Sequence, residues 1–358
     1  MIVSGASVAG AAHLDAGRGG EDAFRAVRTD YGVVLAVADG VGSRPRAALG
    51  AHLAVDTACR VLAAEPPPGR DADAPEWTAW TADRGALLAE TCLRHARALT
   101  RDEDGTGPDD LGAALLVACV RVPWVAFVSL GDCFAAVLTR PDVPHATDVP
   151  HATYGQSGWD GQSGGDGRNA PGGRSGRSGP AAPESPDRPN GRDCPNGRDC
   201  PNGRDCPNGR DCPNAADCPN APDRPNAPDR ADVPRERCHL VLPPPAPGGP
   251  PPAYTTSPAA RLRVRTFTVW EPELSGVVLA TDGCAPLALD HPCVRGLPDA
   301  AGPLPSPRFL PPLAAALRRG GGSAAPLHAL LSGPAAAERT GDDLTLLCAL
   351  TEGDRGWS

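Results

Sequence analysis

Apolar residues in this chain come in short runs that stop at acidic or glycine-rich positions. Val33-Val34-Leu35-Ala36-Val37-Ala38 is continuous, rich in β-branched residues, and ends in Asp39-Gly40-Val41-Gly42. Its length and its turn signal predict a buried strand from about Tyr31 to Ala38. Val277-Val278-Leu279-Ala280 repeats the pattern before Thr281-Asp282-Gly283, and Gly341-Asp342-Asp343 introduces a third strand at Leu344–Leu350. Residues 1–12, Leu111–Val122, Trp124–Leu130, Phe134–Thr139 and the alternating Leu262–Val269 add further strands, with a turn at Pro123. Helical spacing occupies the interval between the early strands. Leu49, Leu53, Ala58 and Leu62 share one face over Pro45–Ala64, and Pro66-Pro67-Pro68 ends that helix. Trp77, Trp80, Leu87, Leu88, Cys92 and Leu99 mark a second helix over Glu76–Leu99, and Phe309–Leu317 and Leu327–Leu331 read as short helices. His13–Gly20 reads as a glycine-rich loop. Two strands, two helices and a β meander predict an α+β layered protein.

The pattern fails between residues 141 and 253, which are poor in large apolar side chains and crowded with Pro, Gly, Asn, Asp and Arg. A six-residue unit, Cys-Pro-Asn-Gly-Arg-Asp, recurs there with cysteines at 194, 200, 206, 212 and 218. Proline in every unit removes a backbone donor and nothing supplies an apolar face, so a long disordered, low-complexity insertion is expected. Its evenly spaced cysteines lack the paired spacing of zinc sites. Removing it leaves blocks 1–140 and 254–351, which together have the size of one domain.

Charge narrows the partners. The net charge is −9 and every basic residue is arginine, so no nucleic-acid footprint is expected. The N-terminus lacks a signal-peptide pattern, and no apolar stretch reaches the ~18 residues of a membrane span. Thirteen cysteines, an odd number and mostly in or beside apolar runs outside the repeats, suggest a reducing cytoplasm.

The candidate chemistry lies at the strand ends. Asp39, Asp282 and Asp342, with Glu21-Asp22 and Asp132 as further candidates, each stand beside an apolar run. Gly40 and Gly42 let the backbone turn tightly and approach a ligand. A sandwich of these strands could bring the carboxylates together, where repulsion would demand cations. Oxygen-only donors suit Mg²⁺ or Mn²⁺ and phosphate chemistry, whereas each aspartate taken alone reads more simply as an ordinary strand-end turn.

Glu21-Asp22-Ala23, Ala38-Asp39-Gly40-Val41-Gly42, Gly131-Asp132, Ala280-Thr281-Asp282-Gly283 and Asp342-Asp343-Leu344-Thr345 resemble, in order, the motifs of the metal-dependent type 2C (PPM-type) protein phosphatases. The opening Gly5-Ala6-Ser7 with His13 is similar to a bacterial branch of that family. The resemblance implies a four-layer α-β-β-α sandwich, two packed antiparallel sheets flanked by helix pairs, formed by 1–140 and 254–351 as one domain. It implies a serine/threonine phosphatase that hydrolyses phosphomonoesters by attack of a metal-bridging hydroxide. Its substrates would be phosphoserine and phosphothreonine proteins made by a Ser/Thr kinase.

By the same resemblance Asp39 bridges two Mn²⁺ or Mg²⁺ ions, with the Gly40 carbonyl and Glu21 on one of them. Asp282 and Asp342 complete the other, Asp22 orients the attacking water, and Asp132 could help hold a third ion. Departures accompany the likeness. The family's phosphate-binding arginine position is Gly17, with Arg18 one residue later. Val41 stands where some relatives have a histidine, Asp343 where the family usually has asparagine, and the flap segment has no recognisable counterpart. These departures keep open the alternative of a degenerate phosphatase-fold module that binds phosphoproteins or partners.

Overall fold

The computed structural model describes residues 1–101, 105–140, 236–245 and 252–352, and the Cys-Pro-Asn-Gly-Arg-Asp repeats lie outside these described residues. All described residues belong to one compact unit drawn from both sides of residues 141–235. In chain order its first half holds β1 (Ile2–Val8), α1 (Ala11–Asp15), β2 (Asp22–Arg28), β3 (Val33–Gly40), α2 (Ala47–Ala63) and α3 (Ala74–Leu99). Then come β4 (Ala113–Arg121), β5 (Trp124–Leu130) and β6 (Phe134–Thr139). The second half begins with β7 (Arg237–Leu242), α4 (Ala260–Arg263), β8 (Arg265–Trp270) and β9 (Leu274–Ala280). Next are α5 (Ala285–Ala288), β10 (Leu289–Asp290), β11 (Leu304–Pro305) and α6 (Leu310–Arg319). The last elements are α7 (Ala325–Leu331), α8 (Pro334–Ala337) and β12 (Leu344–Leu350).

Two five-stranded antiparallel sheets form the centre, ordered β1-β12-β9-β6-β7 and β2-β3-β4-β5-β8. Each contains strands from both halves of the sequence. Strands β3, β4, β5 and β9 are buried over nearly their whole length, which is why they read as unbroken apolar runs. Alternate side chains point to opposite faces, so one set fills the space between the sheets. Val33, Leu35, Val37, Leu116, Phe127 and Leu279 belong to that inner core. The opposite faces are covered by helices. α2 and α3 lie on the β2–β8 sheet around Trp77, which stacks on Trp124 with ring centroids 5.4 Å apart. Leu313 and Leu317 of α6 and Leu327 and Leu331 of α7 cover the other sheet. The result is the expected four-layer α-β-β-α sandwich.

The structure corrects several local expectations. Leu49 is 47 % exposed, and α2 instead packs through Gly50, Ala51, Ala54, Ala58 and Leu62. A Cβ on Gly50 would sit 2.4 Å from the Leu111 carbonyl oxygen, so small residues let this helix approach closely. Leu87 and Leu99 are likewise exposed, at 38 % and 47 %. Residues 22–28, which fall in none of the elements expected from the sequence, form strand β2 paired along β3. Ala11–Asp15, placed partly in a loop, form α1. Leu262 lies in α4 and is exposed, so the strand predicted from Leu262 begins at Arg265.

The boundary of the insertion also moves. Arg237–Leu242, assigned to the low-complexity segment 141–253, form edge strand β7 on β6 and bury Leu242. An edge strand has one neighbour and one half-solvated face, so its composition is too mixed to stand out beside prolines.

Candidate metal centre

Register brings the acidic residues to one end of both sheets. Asp22 begins β2 opposite Asp39, near the end of β3, and Gly40 pairs with Ala113 at the start of β4. In the other sheet Ala280 ends β9 between Phe134 and Leu346. Antiparallel pairing thus carries the preceding Asp132 and Asp342-Asp343 to the end at which Asp282 emerges. Gly131 makes the turn into β6 with φ +98°, and a Cβ there would lie 2.4 Å from that of Ala114. Only glycine takes that backbone shape freely. Arg265 fixes the same turn, donating to the Gly131 carbonyl at 3.1 Å and to Ser129 Oγ at 3.3 Å.

One carboxylate oxygen from each of Asp39, Asp132 and Asp282 lies within 4.8 Å of the others. Burial raises the Asp39 carboxyl far above the usual carboxylate range, and the charges of Asp22, Asp282 and Asp132 raise it further. Asp282 is raised by burial and then by Asp342, and Asp132 by burial and then by Asp282. Asp22 is raised by burial and by Asp343, against the nearby Thr345 and Thr281 hydroxyls. Thr281 Oγ1 donates to Asp22 Oδ2 at 2.9 Å, while Asp22 Oδ1 is buried without a hydrogen-bond partner. Half-buried carboxylates that raise one another's proton affinity, with an orphaned oxygen beside them, fit a divalent cation. The all-oxygen donor set of the three aspartates is that of a hard ion.

The other expected residues lie outside this converging trio. Glu21 is buried, its main-chain N–H donates to Asp343 Oδ2 and its carbonyl accepts from the Gly40 N–H at 3.2 Å. Its Oε1 accepts from Arg18 Nη1 at 3.2 Å, so Arg18 is engaged with Glu21 while half its side chain remains exposed. Asp342 is exposed and its carboxylate accepts from the Asp343 N–H at 2.9 Å. Its charge is felt by Asp282, but it is not among the three oxygens that converge. Asp132, expected at the margin, stands inside that group.

Asp343 turns inward. Its carboxylate accepts from the Gly10 N–H at 2.7 Å, from the Glu21 N–H and from His13 Nδ1 at 2.8 Å. Three donors and no acceptor face it, which favours Asp over Asn at this position.

The sequence reading gave no role to Thr281, Arg265, Tyr254, Arg44 or Cys133. Cys133 is fully buried, and the charges of Asp39, Asp132, Asp282 and Asp22 add to the burial that raises its thiol. Tyr254 is raised by burial and by Asp132, Asp39 and Asp282, with Arg44 acting the other way, so both stand near the cluster. The adjacent Thr255 ties this segment to Ala113 by a main-chain bond of 2.9 Å. Thr281 was within the quoted motif, whereas Tyr254 carried only the signal of order returning after the insertion.

The family model for protein phosphatase 2C matches residues 9–154, a stretch holding Glu21-Asp22, Asp39-Gly40 and Gly131-Asp132. Over those residues the chain is similar to the protein phosphatase 2C family. Comparison with curated proteins gives no match. Among solved structures, the chain is similar to a bacterial serine phosphatase, with 11% identity, coverage of 99% of this chain and 100% of that one, and a TM-score of 0.49. It is similar to the serine/threonine phosphatase Stp1 from Staphylococcus aureus, with 12% identity, coverage of 99% and 96%, and a TM-score of 0.48. PppA, described as a key regulatory component of T6SS in Pseudomonas aeruginosa, has 14% identity, coverage of 97% and 95%, and a TM-score of 0.39. In this chain the acidic end of the sandwich comes from both sequence blocks, β2 to β6 before residue 141 and β9 and β12 after residue 252.

Proposed function

We propose that this chain is a metal-dependent protein serine/threonine phosphatase, and that its two sequence blocks act as one catalytic domain. The convergence of Asp39, Asp132 and Asp282 within 4.8 Å is the observation that carries the reading. Bound Mn²⁺ or Mg²⁺ would supply Lewis-acid activation of water and neutralise the phosphoryl charge. Asp39 would span two ions, with Glu21 and the Gly40 carbonyl toward one and Asp282 and Asp342 toward the other. Asp132, already beside Asp39 and Asp282, would hold a third. Asp22, anchored by Thr281, would orient the attacking water. Arg18 would contact the phosphate by leaving Glu21, a small movement for a half-exposed side chain. Val41 offers no acid, so the leaving group would take its proton from water.

Phosphoserine and phosphothreonine proteins, products of a Ser/Thr kinase, are the substrate class proposed. The described residues contain no helix long and apolar enough to cross a membrane. The eight described cysteines are free, which supports a reducing, cytoplasmic setting. A degenerate binding module is the weaker reading, because the mutually repelling carboxylates are retained. Phosphopeptide hydrolysis with Mn²⁺ tests the substrate class. Turnover of phosphoserine and phosphothreonine peptides well above phosphotyrosine peptides is expected, and a preference for phosphotyrosine would overturn it.

A further inference from the structure

The buried Glu21 carboxylate has one oxygen that nothing in the protein satisfies. Oε1 takes the Arg18 guanidinium, but Oε2 is buried without a hydrogen-bond partner, and the side chain is only 9 % exposed. Across from it stands His13, whose Nε2 lies 3.9 Å from Oε2. That gap is too long for a hydrogen bond. Two ligands at about 2.1 Å from one ion are separated by about 3.0 Å in octahedral and about 3.4 Å in tetrahedral geometry. About 0.5 to 0.9 Å of side-chain movement would close the gap around a cation.

The other face of the imidazole is already fixed. His13 Nδ1 is 2.8 Å from Asp343 Oδ1, and Asp343 is held by the Gly10 and Glu21 N–H groups. An ionised carboxylate can only accept, so opposite Asp343 the Nδ1 carries the hydrogen and donates it, which leaves the Nε2 lone pair directed toward the Glu21 side. A carboxylate that orients and polarises an imidazole from behind is the usual outer support of a metal-binding histidine. The structure that provides it is local: α1 turns His13 back, its N–H bonded to the Gly10 carbonyl at 3.1 Å and its carbonyl accepting from Arg18.

We propose that His13 is a ligand, through Nε2, of the ion that Glu21 holds, and that this nitrogen makes that site prefer Mn²⁺ over Mg²⁺. The proposal rests on the metal-dependent reading above and adds to it a nitrogen donor. Oxygen donors suit Mg²⁺ and Mn²⁺ alike, but Mn²⁺, at the weak end of the first-row transition series, accepts an imidazole nitrogen more readily than Mg²⁺ does.

The test uses the full chain, loaded with Mn²⁺ and examined by pulsed electron paramagnetic resonance for nitrogen coupling to the ion. The expected result is an imidazole nitrogen signal in the wild type that disappears in His13→Gln. Titration calorimetry should show Mn²⁺ binding at the affected site weakened by about 10- to 100-fold in His13→Gln. Mg²⁺ binding should change much less. Stoichiometric Mn²⁺ binding without nitrogen coupling, or coupling that persists in His13→Gln, overturns the ligand and leaves the phosphatase reading intact. A wild type that binds no Mn²⁺ overturns both. The wild-type spectrum decides by itself should His13→Gln fail to fold.

Discussion

Asp343 shows how one atom type can be dictated by its neighbours. Two main-chain N–H groups and an imidazole N–H point at it, so an asparagine amide would set a donor against a donor. Asp343→Asn is therefore expected to cost about 1–3 kcal/mol in urea unfolding at neutral pH, the usual cost of an unmatched buried polar group. The carboxylate cluster makes a second prediction, concerning pH. The carboxyl groups of Asp22 and Asp39 are raised in the fold, to about 7 and about 10. A folded state that binds more protons than the unfolded chain loses stability as pH rises. The contribution is complete below the ordinary carboxylate range and is lost as pH climbs through these raised values. Metal-free protein should thus melt at progressively lower temperature from about pH 5 to pH 8. Saturating Mn²⁺ should remove that slope, because cations replace protons as the partners of the carboxylates. Melting curves across this range, with chelator and with Mn²⁺, check it. The aspartates themselves were legible in the sequence, because each interrupts an apolar run. Their relative distances were not: the sequence could not show that Asp132 would stand within 4.8 Å of Asp39 and Asp282 while Asp342 lies outside that trio.

At the level of elements, legibility followed burial on both faces. β3, β5 and β9 are enclosed by the other sheet and by helices, and a continuous apolar run was enough to find them. β2 carries exposed Phe24, Arg25 and Ala26, and β7 stands at a sheet edge, so neither produced a clean run. The buried face of α2 was misread because its contacts are made by alanine and glycine, which large-residue periodicity overlooks. α3 was easier, since Trp77 is wholly buried and stacked. Trp77→Ala should destabilise the protein by about 3–5 kcal/mol, read by denaturant midpoint. Gly131→Ala should be costly for its size. The left-handed backbone adds about 1–2 kcal/mol and the new methyl would meet Ala114. Because the turn carries Asp132, weaker metal binding measured by calorimetry should accompany the lower stability.

For the molecule as a whole, the break in the sequence pattern and the unity of the sandwich are compatible because β6 and β7 are neighbours. Thr139 pairs with Arg237, so the two ends of the intervening segment emerge side by side. Replacing residues 141–235 with a short turn should leave the melting temperature within a few degrees of the full chain, by the slow dependence of loop-closure entropy on length. Extending the deletion through residue 242 removes β7, uncovers the edge of β6 and should lower the melting temperature clearly. Composition was sufficient to detect the segment, but only strand pairing fixed where it ends. The central claim is that carboxylates gathered from both sides of this segment support metal-dependent phosphoryl hydrolysis. Its most direct measurement is aryl phosphate turnover by the purified full chain, taken with Mn²⁺, after chelation and after Mn²⁺ is restored, beside Asp39→Asn. Activity should disappear with chelator, return with Mn²⁺ and fall by at least ~100-fold in Asp39→Asn. Hydrolysis that survives chelation, or an Asp39→Asn protein as active as the wild type, would contradict it.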